Sequence, residues 1–242
     1  MKYKLFKDRK GKADQAKNNQ FVKLGREIYT AARQGGPSPE SNFSLKTAIY
    51  NARQIQMPND NIERAIKKAI SNADDVDYEE IMYEGYGPGG VAIMVKSLTD
   101  NRNRTAADVR AIFNKRGGNM GESGCVSYMF DQKGVLSVDI EKLELGEDEL
   151  MLVALDAGAD DVIKQEETID ILTHPNQFEM VKNQLEQQRL RFTQAGIRWI
   201  PQNYVLVENE HAEKLLKMME AFEDHDDVQD VYANFEISEG IS

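Results

Sequence analysis

Apolar positions recur at helical spacing from Phe21 onward. Phe21, Leu24, Ile28 and Ala31 or Ala32 mark one face of a helix, and Gly35-Gly36-Pro37 stops it. Ser38-Pro39 or Asn42 starts a second helix with Leu45, Ala48, Ile49 and Ala52 inward. Met57-Pro58 interrupts, because proline fits the first turn of a helix and not its interior. A third helix carries Ile62, Ala65, Ile66, Ala69 and Ile70. Three short amphipathic helices with tight connections predict a small all-α unit over 21–72. Residues 1–20 are polar and basic without such periodicity, and read as a flexible arm or one that turns helical when bound. An acidic linker follows at 72–77.

The pattern then turns to α/β. Strands are predicted at Ile81–Glu84, Val91–Leu98, Cys125–Phe130, Val135–Val138, Thr168–Thr173 and Ile197–Ile200. Helices are predicted at Thr105–Lys115, Glu147–Ala157 and Gln177–Gln188. On Cys125–Phe130 the alternation puts Val126, Tyr128 and Phe130 on one face. The C-terminal run offers Val205–Val207, a helix over His211–Phe222 and a strand over Val228–Ile237. That set has no partner of its own. The sequence permits it to complete the sheet begun at Ile81, with 131–203 as an insertion. The fold class is therefore α+β: a basic arm (1–20), a helical bundle (21–72), a discontinuous α/β unit (78–130 plus 204–238) and an inserted α/β unit (131–203).

The 242 residues are 40% hydrophobic and 29% charged, enough apolar material for packed cores. The longest apolar runs are about five residues, whereas a bilayer span needs about 20. No secretory signal follows the basic N-terminus. A single cysteine, Cys125, excludes an internal disulfide and a cysteine-rich zinc cluster. A soluble, cytoplasmic protein is the expectation.

Charge changes the picture more. Residues 1–70 hold 15 Lys/Arg against 6 Asp/Glu, a balance of +9, within a chain of net charge −11. Residues 131–242 hold 9 basic and 26 acidic residues, a balance of −17. Folding does not need such polarity. One end suited to a polyanion and a body that repels it would produce it.

Several chemical motifs fail on context. Gly85-Tyr86-Gly87-Pro88-Gly89-Gly90 matches a dinucleotide fingerprint letter by letter, but an apolar strand follows it and Pro88 lacks an amide proton. A turn between strands fits better. His174, His211 and His225 are isolated in sequence. Cys125 has no neighbouring histidine and reads as an inert thiol. Glu220, Glu223, Asp224, Asp226 and Asp227 read as a solvated acidic face. No catalytic residue, metal site or cofactor is assigned.

Three features survive. The first is the basic N-terminal set: Lys7, Arg9, Lys10, Lys12 and Lys17 on the arm, Lys23, Arg26 and Arg33 on the first helix, Lys46 and Arg53 on the second, and Arg64, Lys67 and Lys68 on the third. Such a set can neutralise phosphates and release counterions. The second is Arg102, Arg104, Arg110, Lys115 and Arg116 around the helix that Thr105 is expected to cap. The third is the loop Gly117-Gly118-Asn119-Met120-Gly121, whose glycines would let backbone amides approach a phosphate. Plain helix capping and a mobile connection are the competing readings of the second and third.

Longer ordered motifs carry a resemblance. Phe21-Val22-Lys23-Leu24-Gly25-Arg26-Glu27-Ile28, Met57-Pro58-Asn59-Asp60-Asn61-Ile62-Glu63-Arg64, Tyr83-Glu84-Gly85-Tyr86-Gly87-Pro88-Gly89-Gly90, Asn103-Arg104-Thr105-Ala106-Ala107-Asp108-Val109-Arg110 and Gly117 through Phe130 resemble the YebC/PmpR family. The resemblance implies a helical bundle followed by two α/β ferredoxin-like domains, one inserted in the other. It also implies a probable transcriptional regulator that binds DNA. A mitochondrial relative is a translational activator, and bacterial relatives are linked to ribosomes stalled on proline-rich sequences. The chain opens Met1-Lys2-Tyr3-Lys4-Leu5-Phe6 where the family usually has His-Ser-Lys-Trp-Ala-Asn-Ile.

The expectation is a non-enzymatic regulator whose partner is nucleic acid, either DNA or RNA within the ribosome. No membrane partner, no small-molecule substrate and at most weak self-association are expected. Ribosome association competes with DNA binding because no helix presents an obvious base-reading set of Arg, Asn and Gln, and RNA is often read by shape. A small-molecule enzyme is the remote third reading.

Overall fold

The computed structural model describes residues 13–71 and 76–237. Three helices come first: α1 (Ala13–Gly35), α2 (Phe43–Gln54) and α3 (Asn59–Ile70). They bury Ile28, Ala32, Leu45, Ala48, Ala52, Ile62 and Ala69 against one another. Helix α1 starts at Ala13, well before Phe21, so residues 13–20 of the expected arm are helical. Residues Lys17, Asn18 and Gln20 are exposed. An apolar stripe is therefore no guide to where this helix begins. Asn42 makes the turn between α1 and α2. Its Oδ1 accepts from the Leu45 amide at 3.1 Å, while Nδ2 donates to the carbonyls of Ala31 and Gly36, each at 2.8 Å. One buried side chain thus caps α2 and ties it to the end of α1.

A four-stranded antiparallel sheet follows, in the order β3-β1-β2-β9, built from β1 (Glu79–Tyr86), β2 (Ala92–Thr99), β3 (Asn119–Met120) and β9 (Val228–Ala233). Of the glycine motif at 85–90, Gly85 and Tyr86 end β1 and residues 87–90 make the turn to β2. Helices α4 (Arg102–Lys115) and α7 (Asn209–Glu223) cover one face of this sheet. Ile93, Val95, Val109, Phe113, Leu215 and Phe222 form the core beneath them. Phe113 and Phe222 meet edge to face with centroids 4.9 Å apart. On the other face Ala92, Met94, Val126, Phe130 and Tyr232 are buried, with Trp199 packed against them.

The second sheet comprises β4 (Phe130–Asp139), β5 (Asp161–Lys164), β6 (Thr168–Thr173) and β7 (Gln194–Pro201), with α5 (Glu147–Asp156) and α6 (Phe178–Gln187). Its order, β5-β6-β4-β7, is fully antiparallel. A β-α-β-β-α-β chain with the first and third strands central is the ferredoxin-like arrangement.

Three local expectations are corrected. Cys125–Phe130 is not a strand: a 3-10 turn spans Ser127–Met129, and β4 starts at Phe130 and absorbs Val135–Val138. Thr105 does not cap α4; Asn101 does, its Oδ1 accepting from the Arg104 amide at 3.1 Å. The run Val228–Ile237 is broken at Asn234, whose Oδ1 takes the Ala92 amide at 2.7 Å. Beyond it β10 (Phe235–Ile237) leaves the sheet to pair in parallel with β8 (Val205–Val207).

The bundle is docked on both α/β units. Tyr50 donates to the Phe192 carbonyl at 2.8 Å and accepts from the Phe192 amide at 3.0 Å. Asn51 does the same with Ala195, at 2.9 and 3.2 Å. Two side chains of α2 thus satisfy four backbone groups leading into β7.

Candidate nucleic-acid interface

The sequence-predicted cations divide into those the protein uses itself and those it leaves outward. The first group converges on Asp227, in the loop between α7 and β9. This carboxylate is 4% exposed. Arg26 of α1 donates to Oδ1 at 2.7 Å, and Arg104 of α4 to Oδ2 at 2.8 Å. The hydroxyls of Thr105 and Thr99 donate to Oδ2 at 2.7 and 3.2 Å. Burial alone would push the Asp227 carboxyl up. The hydrogen bonds from Arg104, Thr105 and Arg26, with the Arg26 charge, outweigh it and hold the group well below the usual carboxylate range. Arg26 also donates to the Asp226 carbonyl at 2.8 Å, and Lys23 to the Glu223 carbonyl. The acidic run 223–227 is therefore no plain solvated face: Lys23 and Arg26 fix α1 to the body, and Arg104 of α4 is engaged by the same Asp227 and by Asp100.

Arg33 donates to the Ala69 carbonyl at 3.2 Å and joins α1 to α3. Arg102 lies 3.5 Å from Glu79, and Lys67 lies 3.6 Å from Glu63, both in exposed pairs that a polyanion can compete with. Lys17 stands 5.8 Å over the Phe21 ring. Lys68 is exposed on the last turn of α3. Lys46, Arg53, Arg64, Arg110, Lys115 and Arg116 are all exposed and engage no acidic partner among the described residues. These six form two groups, one on α2 and α3 and one along α4 to its C-terminal end. Lys7, Arg9, Lys10 and Lys12 lie outside the described residues.

The glycine loop differs from the expectation of free amides. The Gly118 amide donates to the Phe113 carbonyl at 2.9 Å, and the Gly121 amide to the Glu84 carbonyl at 2.9 Å. Asn119 and Met120 pair with β1 as an edge strand. Beyond them the Glu84 carboxylate, 6% exposed, gathers the amides of Gly124, Val126 and Ser127 at 2.8, 2.9 and 2.8 Å. Burial opposes the charge on Glu84, yet these amide bonds hold its carboxyl below the ordinary value. They also turn 124–127 away from a strand. Glycine is required here for close approach: a Cβ on Gly118 would stand 2.5 Å from the Tyr86 carbonyl oxygen, and one on Gly121 would stand 2.6 Å from Cys125 Sγ. The loop is a packed corner and not an open amide cradle.

This corner displays residues that the sequence analysis did not assign. Tyr128, expected on one face with Val126 and Phe130, is 65% exposed while those two are buried, and Tyr86 is 36% exposed. The Tyr86 hydroxyl donates to the Cys125 carbonyl at 3.1 Å. Cys125 is half-buried, and burial and the Glu84 charge raise its thiol pKa, which suits an inert thiol. Elsewhere, the His225 ring accepts from the Asp227 amide at 3.1 Å. No three His, Cys, Asp or Glu side chains among the described residues are grouped to hold a metal ion. No helix among them is long and apolar enough to cross a membrane.

A bundle whose cations are partly turned outward, on a body of two antiparallel sheets with one ferredoxin-like unit, defines the class. The chain matches the TACO1/YebC N-terminal domain over residues 1–72 and the TACO1/YebC second and third domains over 78–235; it belongs to the TACO1/YebC family. A "Probable transcriptional regulatory protein" of Geobacillus thermodenitrificans is 51% identical over 237 residues, covering 98% of this chain and 96% of that one. A protein of the same name from Desulfitobacterium hafniense is 52% identical over 241 residues, covering 99% and 96%. The crystal structure of a conserved hypothetical protein from Aquifex aeolicus superposes with a TM-score of 0.88 at 48% identity, covering 95% of this chain and 94% of that one.

Proposed function

We propose that the protein regulates gene expression by binding nucleic acid, with the outward cations of α2, α3 and α4 on the phosphate backbone. The observation that carries this reading is the set Lys46, Arg53, Arg64, Arg110, Lys115 and Arg116, exposed and without acidic partners among the described residues, on a chain of net charge −11. Lys67, Lys68 and Arg102 border it. The names of the relatives support a regulatory role. The acidic body repels a polyanion elsewhere and so orients the encounter. Phosphate contacts position such a protein without reading sequence.

DNA is the partner that the relatives' names favour. A second reading, RNA within the ribosome, is favoured by the exposed Tyr86 and Tyr128, because aromatic rings are a common means of holding unpaired bases. Sedimentation of cell extract separates the two. Co-migration with ribosomal subunits that survives DNase supports RNA. DNase-sensitive association, with preference for particular duplex sequences, supports DNA.

A further inference from the structure

Resting on the nucleic-acid reading above, we propose that Tyr128, backed by Tyr86, is a stacking platform for one unpaired nucleobase, with Lys115 and Arg116 on the adjoining phosphates.

The argument begins with rigidity. An exposed tyrosine on a loose loop lowers its free energy by folding back on nearby apolar surface. Tyr128 is prevented from doing so. Its neighbours Val126 and Phe130 are buried at 0% and 4% exposure, on either side of the 3-10 turn that carries it. Three amide hydrogen bonds to the buried Glu84 carboxylate hold the preceding residues. Tyr86 is tied to the same segment, its hydroxyl donating to the Cys125 carbonyl at 3.1 Å. The backbone that carries Tyr128 is thus held, and the residue is 65% exposed. Presenting a ring from backbone already ordered lowers the entropic cost of stacking on it.

The surroundings select a nucleotide. Asn119 is the register partner of Tyr86 across the β1–β3 pair, so both side chains rise on the same sheet face. Asn119 is exposed, and its amide offers both a donor and an acceptor for a base edge. Lys115 and Arg116 end α4 just before this edge strand, and Gly118 brings the chain against the Tyr86 carbonyl. The segment 117–128 contains one carboxylate, Glu122, against those two cations. An apolar ring face, an amide and cations together match a base attached to a phosphate chain. Bases in a duplex have both faces covered, so the platform takes a base that is single-stranded, bulged or flipped out.

Fluorescence anisotropy on the full chain tests this, with a labelled single-stranded RNA, the single-stranded DNA of the same sequence, and the blunt DNA duplex. Tyr128→Ala is expected to weaken single-strand binding about tenfold or more and leave duplex binding unchanged. Tyr128→Phe, which keeps the ring, is expected to stay within about twofold of wild type. 2-Aminopurine in the single strand is expected to be quenched by wild type and by Tyr128→Phe, but not by Tyr128→Ala. Preference for the RNA strand identifies RNA as the source of the base, and preference for the DNA strand identifies unwound DNA. Tyr128→Ala binding single strands as tightly as wild type overturns the platform, while the salt-dependent contact with phosphates stands. Wild-type protein that binds no nucleic acid overturns both.

Discussion

Arg26 and Asp227 are 201 residues apart in sequence and 2.7 Å apart in space. Asp227 also holds Arg104, so one buried carboxylate joins the bundle to the N-terminal end of α4. Together with the neighbouring Lys23, this junction engages three cations that a purely sequence-based count would leave free. It sets the angle at which the remaining cations of the bundle stand on the body.

Asp227→Ala leaves two guanidinium groups and two threonine hydroxyls without their common acceptor. Removing one partner from a buried charge network typically costs about 3–5 kcal/mol. Because Arg104 is 49% exposed and regains water, a loss near the lower end, about 3 kcal/mol, is expected. Urea unfolding measures it. A loss under about 0.5 kcal/mol, the range of an ordinary surface substitution, would contradict the structural role of Asp227.

The same group predicts a pH dependence. Its folded-state pKa is depressed, so its contribution is fully present above the unfolded-state value of about 3.9. It is lost as the pH falls below that value toward the folded pKa. Wild-type stability is therefore expected to drop below about pH 4, and the Asp227→Asn variant to drop less steeply there. Parallel curves for the two would contradict the linkage.

Glu84→Ala leaves the amides of Gly124, Val126 and Ser127 without their acceptor. Each hydrogen bond to a charged group is worth about 1.5–3 kcal/mol before water replaces it. Water reaches the exposed Gly124, so a net loss of about 2–3 kcal/mol is expected. Hydrogen exchange is expected to speed up at 121–128 and little in the second sheet. Unchanged exchange across this corner would contradict the assignment of Glu84 as its support.

Asn51→Leu removes the reciprocal bonds to Ala195 and leaves both of its backbone groups unpaired. A cost of about 1–3 kcal/mol is expected, with faster amide exchange at the start of β7 and in α2. A variant as stable as wild type, with unchanged exchange, would show that the bundle is held to the inserted unit by other contacts.

The helices are legible in the sequence because each buries a stripe at period 3.6, as Leu45, Ala48, Ile49 and Ala52 do. The corner after α4 is not. Val126, Tyr128 and Phe130 alternate as a strand would, but the amides of this segment go to Glu84, a residue some 40 positions earlier. Thr105 resembles a helix cap by type and position, yet the acceptor it serves is Asp227. Strand β5 is four residues long with a charge at each end, too short to show a pattern. Of the cations, composition reveals the number and not the partners. Lys23, Arg26 and Arg104 meet acidic segments far along the chain, and only the fold brings those together.

The most direct test of the central claim is the salt dependence of nucleic-acid affinity for Lys46→Glu/Arg53→Glu/Arg64→Glu beside wild type. If those outward cations meet phosphates, affinity falls and the slope of log K against log salt becomes shallower by about 0.7–0.9 for each phosphate that is no longer neutralised. Unchanged affinity and slope in a variant that melts like wild type would contradict a role for the bundle in holding nucleic acid.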